Sequence, residues 1–352
     1  MIKLRTSILT PAFILVGVIL GAGFASGAEI MAYFVDYGKM GLIGLFLSCA
    51  LLSSTGFAIW QICKAENIST YQYFMDKIMG KSLSRIMEAI LGLFTFIVFS
   101  AMLAAAGSAL HESINFSYSA GIYSIATVCF IVFLFDLSGI IKLNAYISPA
   151  LIAGCIAMGL FIYFSKAAPA FRAAEAAVKI MRGNWYMAAL TYAGYNIATA
   201  VIVLSAMRKE VGNVKFPFIS ALLACFMLAA MGLSIYFALY ANYADILYSQ
   251  IPMLVLIMRH GAWLEALFMV LFMGACFTTA ATCGFAVVET ISGRIAINKT
   301  LLKALITAAG IISAYAGFSN FIKNIYPLFA IAGVVEIILI IKYYLKFVFS
   351  KL

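Results

Sequence analysis

The sequence has few charged residues. Asp, Glu, Lys and Arg make up 10% of its 352 residues, whereas hydrophobic residues make up 65% and the mean hydropathy is +1.08. A soluble domain carries about 25% charged residues, so this composition excludes a sizeable soluble domain and predicts an integral membrane protein. The Lys and Arg residues behind the net charge of +10 cluster at the ends of apolar segments. We therefore expect lipid headgroups, not nucleic acid, as their partners.

The sequence is also poor in the residues of catalytic and metal sites. It has two histidines, neither an HExxH nor a GxSxG motif, and no CxxC pair. Its seven cysteines lie in or at the ends of apolar runs, where they act as small hydrophobic side chains. We therefore predict neither an enzyme nor a bound cofactor.

Apolar runs of membrane-spanning length recur along the whole chain. A spanning helix needs about 20 apolar residues. By that measure we predict an all-α membrane protein of ten spans, forming one transporter domain over 1–352. The spans lie near 8–35, 40–63, 85–110, 118–135, 140–164, 184–207, 214–240, 262–291, 299–318 and 321–347. Short surface helices are predicted at Ala173–Ile180 and Ile251–Arg259. The first run is too long for a cleavable signal, and the distribution of Lys and Arg predicts both termini in the cytoplasm.

The first span contains a run of small residues, Gly-Ala-Gly-Phe-Ala-Ser-Gly, at positions 21–27. Three glycines and a serine are poor helix formers. Non-helical backbone inside a membrane is tolerated only where it is packed in protein or lines a wet cavity. We therefore predict a helix broken at mid-membrane depth, with its backbone exposed to a ligand. The alternative is that the small residues only let another helix pack closely.

A related run occurs half a chain later. Ala22-Gly23-Phe24 in the first span has a counterpart in Ala193-Gly194-Tyr195 of the sixth. Ten spans divide into five and five, so the two halves would cross the bilayer in opposite directions. Interrupted spans at matching places in inverted halves indicate a transporter binding site. We predict an inverted repeat, with repeat one at about 1–165 and repeat two at about 180–352, and with spans one and six both broken.

This layout resembles the LeuT-type fold of the amino acid–polyamine–organocation transporters. The run at 21–30, followed by Tyr33-Phe34 and Tyr37-Gly38, is similar to the signature of YkvI-type bacterial membrane proteins. The resemblance implies secondary transport, alternating access and a location in the bacterial cytoplasmic membrane.

The broken helices predict where a solute would bind. Backbone N–H groups near Ala25, Ser26 and Gly27 suit a carboxylate, and carbonyl groups near Tyr192 and Ala193 suit an ammonium. A zwitterionic or carboxylate-bearing amino acid-like solute would then bind without a charged side chain. The predicted solute site comprises Gly23, Phe24, Ala25, Ser26, Gly27, Tyr192, Ala193, Gly194, Tyr195 and Asn196. Phe24, Phe99, Tyr192 and Tyr195 are candidates for its walls.

Sodium is the expected coupling ion. The carbonyl groups of Leu20 and Gly21 suit a cation, and the resemblance implies that Thr278 and Thr279 complete the site. Alternatively, these threonines bond back to their own helix. Some transporters of this fold have a lysine in the middle of the fifth span in place of sodium. Here Lys142 lies at the start of that span, and its side chain is expected to reach the membrane interface.

Two acidic residues fall inside spans. Glu29 and Glu336 are candidates for gating or for carrying protons, because carboxylates within a membrane are usually functional. A proton-coupled transporter and a nutrient receptor without net transport therefore remain as alternatives to a sodium-coupled transporter.

Overall fold

The computed structural model describes residues 8–134, 138–165, 184–206, 217–292 and 298–349, and within these ranges it is built of helices. The first span comprises three pieces: α1 (Leu9–Ile19), α2 (Ala22–Ala25) and α3 (Ala28–Tyr33), followed by a short 3₁₀ turn at Val35–Tyr37. The rest of the first half consists of α4 (Lys39–Ala65), α5 (Tyr71–Ile114), α6 (Tyr118–Leu134) and α7 (Ser138–Ser165). The second half consists of α8 (Trp185–Ala206), α9 (Pro217–Ala241), α10 (Tyr243–Ile246), α11 (Pro252–Met258), α12 (Ala262–Ser292), α13 (Lys299–Ala314) and α14 (Phe318–Phe349, with a π-helical turn at Phe321–Ile325).

Each predicted span overlaps described helical residues, and the first overlaps three separate helices. Six of the described helices are long and apolar enough to cross a membrane by themselves, namely α4, α5, α8, α9, α12 and α14. Three shorter apolar helices are Leu9–Ile19, Tyr118–Leu134 and Pro149–Ser165. Helices are expected here because a spanning helix satisfies its own backbone N–H and C=O groups.

Local sequence explains where two of these helices begin or bend. Asn298 begins α13, because its side-chain oxygen accepts hydrogen bonds from the backbone N–H groups of Thr300 (2.9 Å) and Leu301 (3.4 Å). The 44-residue helix α5 changes direction at Gly80, whose φ of 78° lies in the left-handed region that favours glycine. The predicted third span begins just after this bend.

Helices α4, α8 and α14 pack together at the centre of the molecule. The closest approach in this group joins α8 to α14, where Gly194 and Gly333 face each other. A Cβ added to Gly194 would lie 2.5 Å from the carbonyl oxygen of Ala330, and a Cβ added to Gly333 would overlap the carbonyl oxygen of Gly194. Small residues at such contacts let two helix backbones approach each other closely.

The predicted break in the sixth span is wrong. Helix α8 runs without interruption from Trp185 to Ala206, so the carbonyl groups of Tyr192 and Ala193 do not lie at a helix end. A single glycine costs a helix only about 1 kcal/mol, and here Gly194 serves the contact with α14. The inverted repeat was predicted from matching breaks in spans one and six, and only the break in span one is present.

The predicted surface helix at Ile251–Arg259 exists, but it is not on the surface. Helix α11 covers Pro252–Met258, and Met253, Leu254, Leu256 and Ile257 are at most 2% exposed. Its sequence is apolar on nearly every face, which is typical of a buried helix. The predicted surface helix at Ala173–Ile180 and the side chain of Lys142 lie outside the described residues.

Candidate functional site

The first span is broken as predicted. Helix α1 ends at Ile19, Gly21 is extended (φ −95°, ψ 177°), and a single turn covers Ala22–Ala25. Gly27 then has a φ of 78°, and helix α3 begins at Ala28. Two interruptions six residues apart separate three short helical pieces, and residues 22–31 are all buried. The break therefore lies inside the protein, where its backbone groups need protein partners.

Ser26 holds the second interruption in place. Its hydroxyl donates to the carbonyl of Gly23 (2.8 Å) and accepts from the N–H of Ala28 (3.1 Å). Its own carbonyl accepts from the N–H of Met253 at 2.9 Å, which ties the buried helix α11 to the break. Gly27 needs its positive φ, and a Cβ there would also lie 2.9 Å from Cγ of Met253.

The N–H groups predicted to bind a carboxylate already have partners. Ala25 donates to the carbonyl of Gly21 (3.2 Å), Ser26 to that of Ala22 (2.8 Å) and Gly27 to that of Phe24 (3.0 Å). The break therefore does not present these groups to a solute in this conformation. The short turns close their own hydrogen bonds in this conformation, and an anion site at Ala25, Ser26 and Gly27 stays a prediction.

Unlike these N–H groups, one carbonyl group at the first interruption has no backbone hydrogen bond among the described residues. Within the described residues, no backbone N–H donates to the carbonyl of Leu20. Helix α12 contacts α2 across this region. The Thr278 hydroxyl donates to the carbonyls of Gly274 (3.0 Å) and Ala275 (3.3 Å) of its own helix, which is the alternative considered for this residue. Leu20, Gly21, Thr278 and Thr279 stay a predicted sodium site, since an oxygen that donates a hydrogen bond keeps lone pairs for a cation.

Glu29 lies in α3 and reaches back to the break. Its side chain is 6% exposed, and a Cβ added to Gly23 would overlap its Oε1 atom. Because Gly23 has no side chain, the Glu29 carboxylate lies in the space beside it. The sequence placed both residues in the site but did not predict their contact, because the two interruptions fold the chain back between them.

Tyrosines of three helices lie near this carboxylate. The ring of Tyr33 lies 5.8 Å from that of Tyr192 and 5.6 Å from that of Tyr195, and Tyr195 lies 5.2 Å from Tyr326. Glu29 is a neighbour of all four. We call Tyr33, Tyr192, Tyr195 and Tyr326 the tyrosine cluster. Through it, the structure brings span one together with span six, as predicted.

The hydroxyl groups of the tyrosine cluster are not all satisfied. Tyr33 donates to the carbonyl of Ile322 at 2.7 Å. The hydroxyls of Tyr192 and Tyr195 are buried without a hydrogen-bond partner among the described residues. The Tyr195 side chain lies within reach of the Glu29 carboxylate. Buried hydroxyls without partners are costly, so these two groups are available to a ligand.

Three carboxylates are buried in the described core, and no Lys or Arg side chain described there is buried. They are Glu29, Asp36 and Glu336. Asp36 accepts a hydrogen bond from the Tyr243 hydroxyl at 3.0 Å, whereas neither oxygen of Glu336 has a described partner. The sequence analysis missed Asp36, although an acid two residues after the Tyr33-Phe34 pair is the signal that would have identified it.

Four other residues of the predicted site or its walls make the following contacts. The Phe99 ring packs on Phe133 (6.0 Å) and Phe96 (6.5 Å), away from the tyrosine cluster. Phe24 is buried in α2. Gly194 faces α14, and the side chain of Asn196 donates to the carbonyl of Tyr192 at 2.9 Å within α8. These contacts explain the roles of Gly194 and Asn196 by packing and intrahelical bonding.

Comparison with known proteins agrees with the sequence resemblance. The chain is 26% identical over 319 residues to the uncharacterized membrane protein YkvI of Bacillus subtilis, a match that covers 90% of each protein. It is 25% identical over 198 residues to the uncharacterized protein YyaD of the same organism, covering 56% of this chain and 55% of YyaD. No protein-family model matches the chain.

Solved structures show the same fold. A Na⁺-coupled sialic acid symporter aligns with a TM-score of 0.59 at 13% identity, over 94% of this chain and 78% of the symporter. MhsT in complex with L-phenylalanine aligns with a TM-score of 0.57 at 15% identity, over 92% of this chain and 88% of MhsT. A manganese transporter of Eremococcus coleocola aligns with a TM-score of 0.53 at 13% identity, over 93% and 76% of the two chains. At these identities the likeness shows the LeuT-type fold, which is a fold of membrane transporters.

Proposed function

We propose that this chain, a YkvI-related membrane protein with the LeuT-type fold, is a secondary active transporter of a small amino acid-like solute. The observation that carries the proposal is the double interruption of the first span. It places the Glu29 carboxylate beside Gly23 and within the tyrosine cluster, deep in the protein. Broken helices at a buried site are typical of transporters that bind their solute there.

The geometry supports alternating access. The three pieces of span one are joined by two pairs of residues, Leu20-Gly21 and Ser26-Gly27, and only Gly27 of these four has a positive φ. Such joints let α1 and α3 change direction independently, so that the site opens to one side at a time. Residues 22–31 are buried in the present conformation, so a solute reaches the break only after the packed segments around it move.

Sodium is the coupling ion that we propose. The Leu20 carbonyl without a described partner and the Thr278 hydroxyl provide oxygen ligands of the kind that Na⁺ requires. The Na⁺-coupled sialic acid symporter with the same fold supports this choice. A proton-coupled mechanism is the second candidate, since Glu29 and Glu336 are buried carboxylates without a positive partner among the described residues.

The finer topology belongs to the same proposal. We propose ten spans, both termini in the cytoplasm and a location in the bacterial cytoplasmic membrane. A nutrient receptor could share all these features, so transport itself has to be measured.

The test is uptake by the full-length chain in liposomes with an imposed ion gradient. We expect solute to accumulate inside when Na⁺ is high outside, and not when K⁺ replaces it. If solute accumulates along a proton gradient in both Na⁺ and K⁺, the coupling ion is the proton and not sodium. Tight binding with neither uptake nor exchange would show a receptor.

A further inference from the structure

We propose that the solute is an organic ammonium ion without a carboxylate, and that Glu29 is its counter-ion within the tyrosine cluster. This inference rests on the proposed transport function and names the solute class for the same site. It departs from the zwitterion that the sequence predicts.

Charge is the first argument. The side chains described in the buried core include three carboxylates and no Lys or Arg. Glu29 is the one that lies at the break of span one. A carboxylate buried with no positive partner is unfavourable in its charged form, and a ligand that brings positive charge would remove that cost.

The backbone of the break gives the second argument. A zwitterion needs donors for its own carboxylate, but the N–H groups of Ala25, Ser26 and Gly27 are already bonded. Beside Gly23, the place at the break that a solute carboxylate would take is occupied by Glu29. A second carboxylate there would face a like charge at short range. The ammonium group of an amine meets neither obstacle.

The tyrosine cluster supplies the third argument. Four aromatic rings whose neighbouring centroids lie 5.2 to 5.8 Å apart form one cluster beside the Glu29 carboxylate. Aromatic faces attract a cation, and the desolvated site strengthens that attraction. The hydroxyls of Tyr192 and Tyr195 have no described partner and can accept hydrogen bonds from an ammonium group.

The experiment compares matched pairs that differ by one carboxylate. Purified full-length protein is titrated with 2-phenylethylamine and phenylalanine, and with isobutylamine and valine, at constant Na⁺ by calorimetry and thermal shift. We expect the amine of at least one pair to bind at least 10-fold more tightly than its amino acid. Tighter binding of the amino acids, or no binding of any amine, would overturn the proposal.

Variants then test the residue. Glu29→Gln should weaken amine binding at least 10-fold, whereas Glu289→Gln, which removes a carboxylate from an exposed ion pair with Lys299, should leave it unchanged. Unchanged amine binding by Glu29→Gln would overturn the role of Glu29. If Glu29→Gln does not fold, Tyr195→Leu provides the second variant, since loss of its ring should weaken the amine and leave the amino acid unaffected.

Liposome counterflow separates this inference from the proposed function. Exchange of the amines and not of the amino acids supports both. Exchange of the amino acids alone leaves a transporter but overturns the ammonium proposal. Specific amine binding that needs Glu29, without exchange, keeps the ammonium site and overturns transport.

Discussion

Two short runs of the same kind, Ala22-Gly23-Phe24 and Ala193-Gly194-Tyr195, have different structures. The first lies in a broken helix, and its glycine leaves space for the Glu29 carboxylate. The second lies in a continuous helix, and its glycine leaves space for the backbone of α14. The space left by a glycine in a membrane helix can therefore hold a side chain, as at Gly23, or another helix, as at Gly194.

The flanking residues explain the difference. Gly23 has glycines at 21 and 27 and a serine at 26, so the helix can be interrupted on both sides and the serine can bond the freed backbone groups. Gly194 has neither a second glycine nor a serine within three residues. The helix therefore continues through it.

Adding a side chain at Gly23 should have the largest effect on function. Gly23→Leu displaces the Glu29 carboxylate and fills the break, so we expect normal membrane insertion with a loss of ligand binding of about 100-fold or more, equivalent to about 3 kcal/mol. Binding is measured by calorimetry and insertion by membrane fractionation. Gly92→Leu is the matched control, because a Cβ at Gly92 meets no atom within 4 Å. Full binding by Gly23→Leu would contradict the role of the broken helix.

The same change at Gly194 should act on stability instead. Gly194→Leu forces α8 and α14 apart at a contact between backbones, so we expect a loss of about 3 kcal/mol in unfolding free energy. Thermal unfolding in detergent measures the loss. Ligand affinity of the fraction that stays folded should change less than in Gly23→Leu. A stable Gly194→Leu protein that binds no ligand would place Gly194 in the solute site, as the sequence first predicted.

The sodium prediction concerns the broken span and the α12 threonines that face it. We expect Na⁺ to raise ligand affinity relative to K⁺, and ligand to tighten Na⁺ binding by the same factor, typically about 5–150-fold for coupled ligands. Thr279→Ala, and more strongly Thr278→Ala with Thr279→Ala, should reduce this factor and leave the unfolding temperature nearly unchanged. Identical responses of the wild type to Na⁺ and K⁺, together with an affinity that varies with pH, would favour proton coupling.

Glu336 should show the smallest effect and sharpen the contrast with Glu29. Its carboxylate is fully buried without a described partner, and it does not act on the tyrosine cluster as Glu29 does. Glu336→Met removes an unsatisfied polar group at similar volume, so we expect unchanged stability or a gain of about 1 kcal/mol. Thermal unfolding and liposome uptake measure both consequences. Loss of uptake with intact folding would show that Glu336 carries protons.

The sequence by itself determined the properties that depend on local chemistry. Low charge and long apolar runs identify a helical membrane protein, and the positions of the spans follow from the lengths of those runs. The break at 21–27 was predictable too, since three glycines and a serine disfavour a helix wherever they lie. Glu29 was a candidate because a carboxylate in an apolar span is unusual.

Only the tertiary structure decided what each of these features contacts. Gly194 packs on Gly333, which is 139 positions away in the chain. Local helix preference cannot predict a contact between residues so far apart in sequence. The apolar helix Pro252–Met258 suits a surface or a core until the N–H of Met253 is seen to bond Ser26. The tyrosine cluster assembles rings from α3, α8 and α14 beside Glu29. Helix propensity acts over a few neighbouring residues, whereas a binding site depends on which distant segments pack together, and packing is a property of the whole fold.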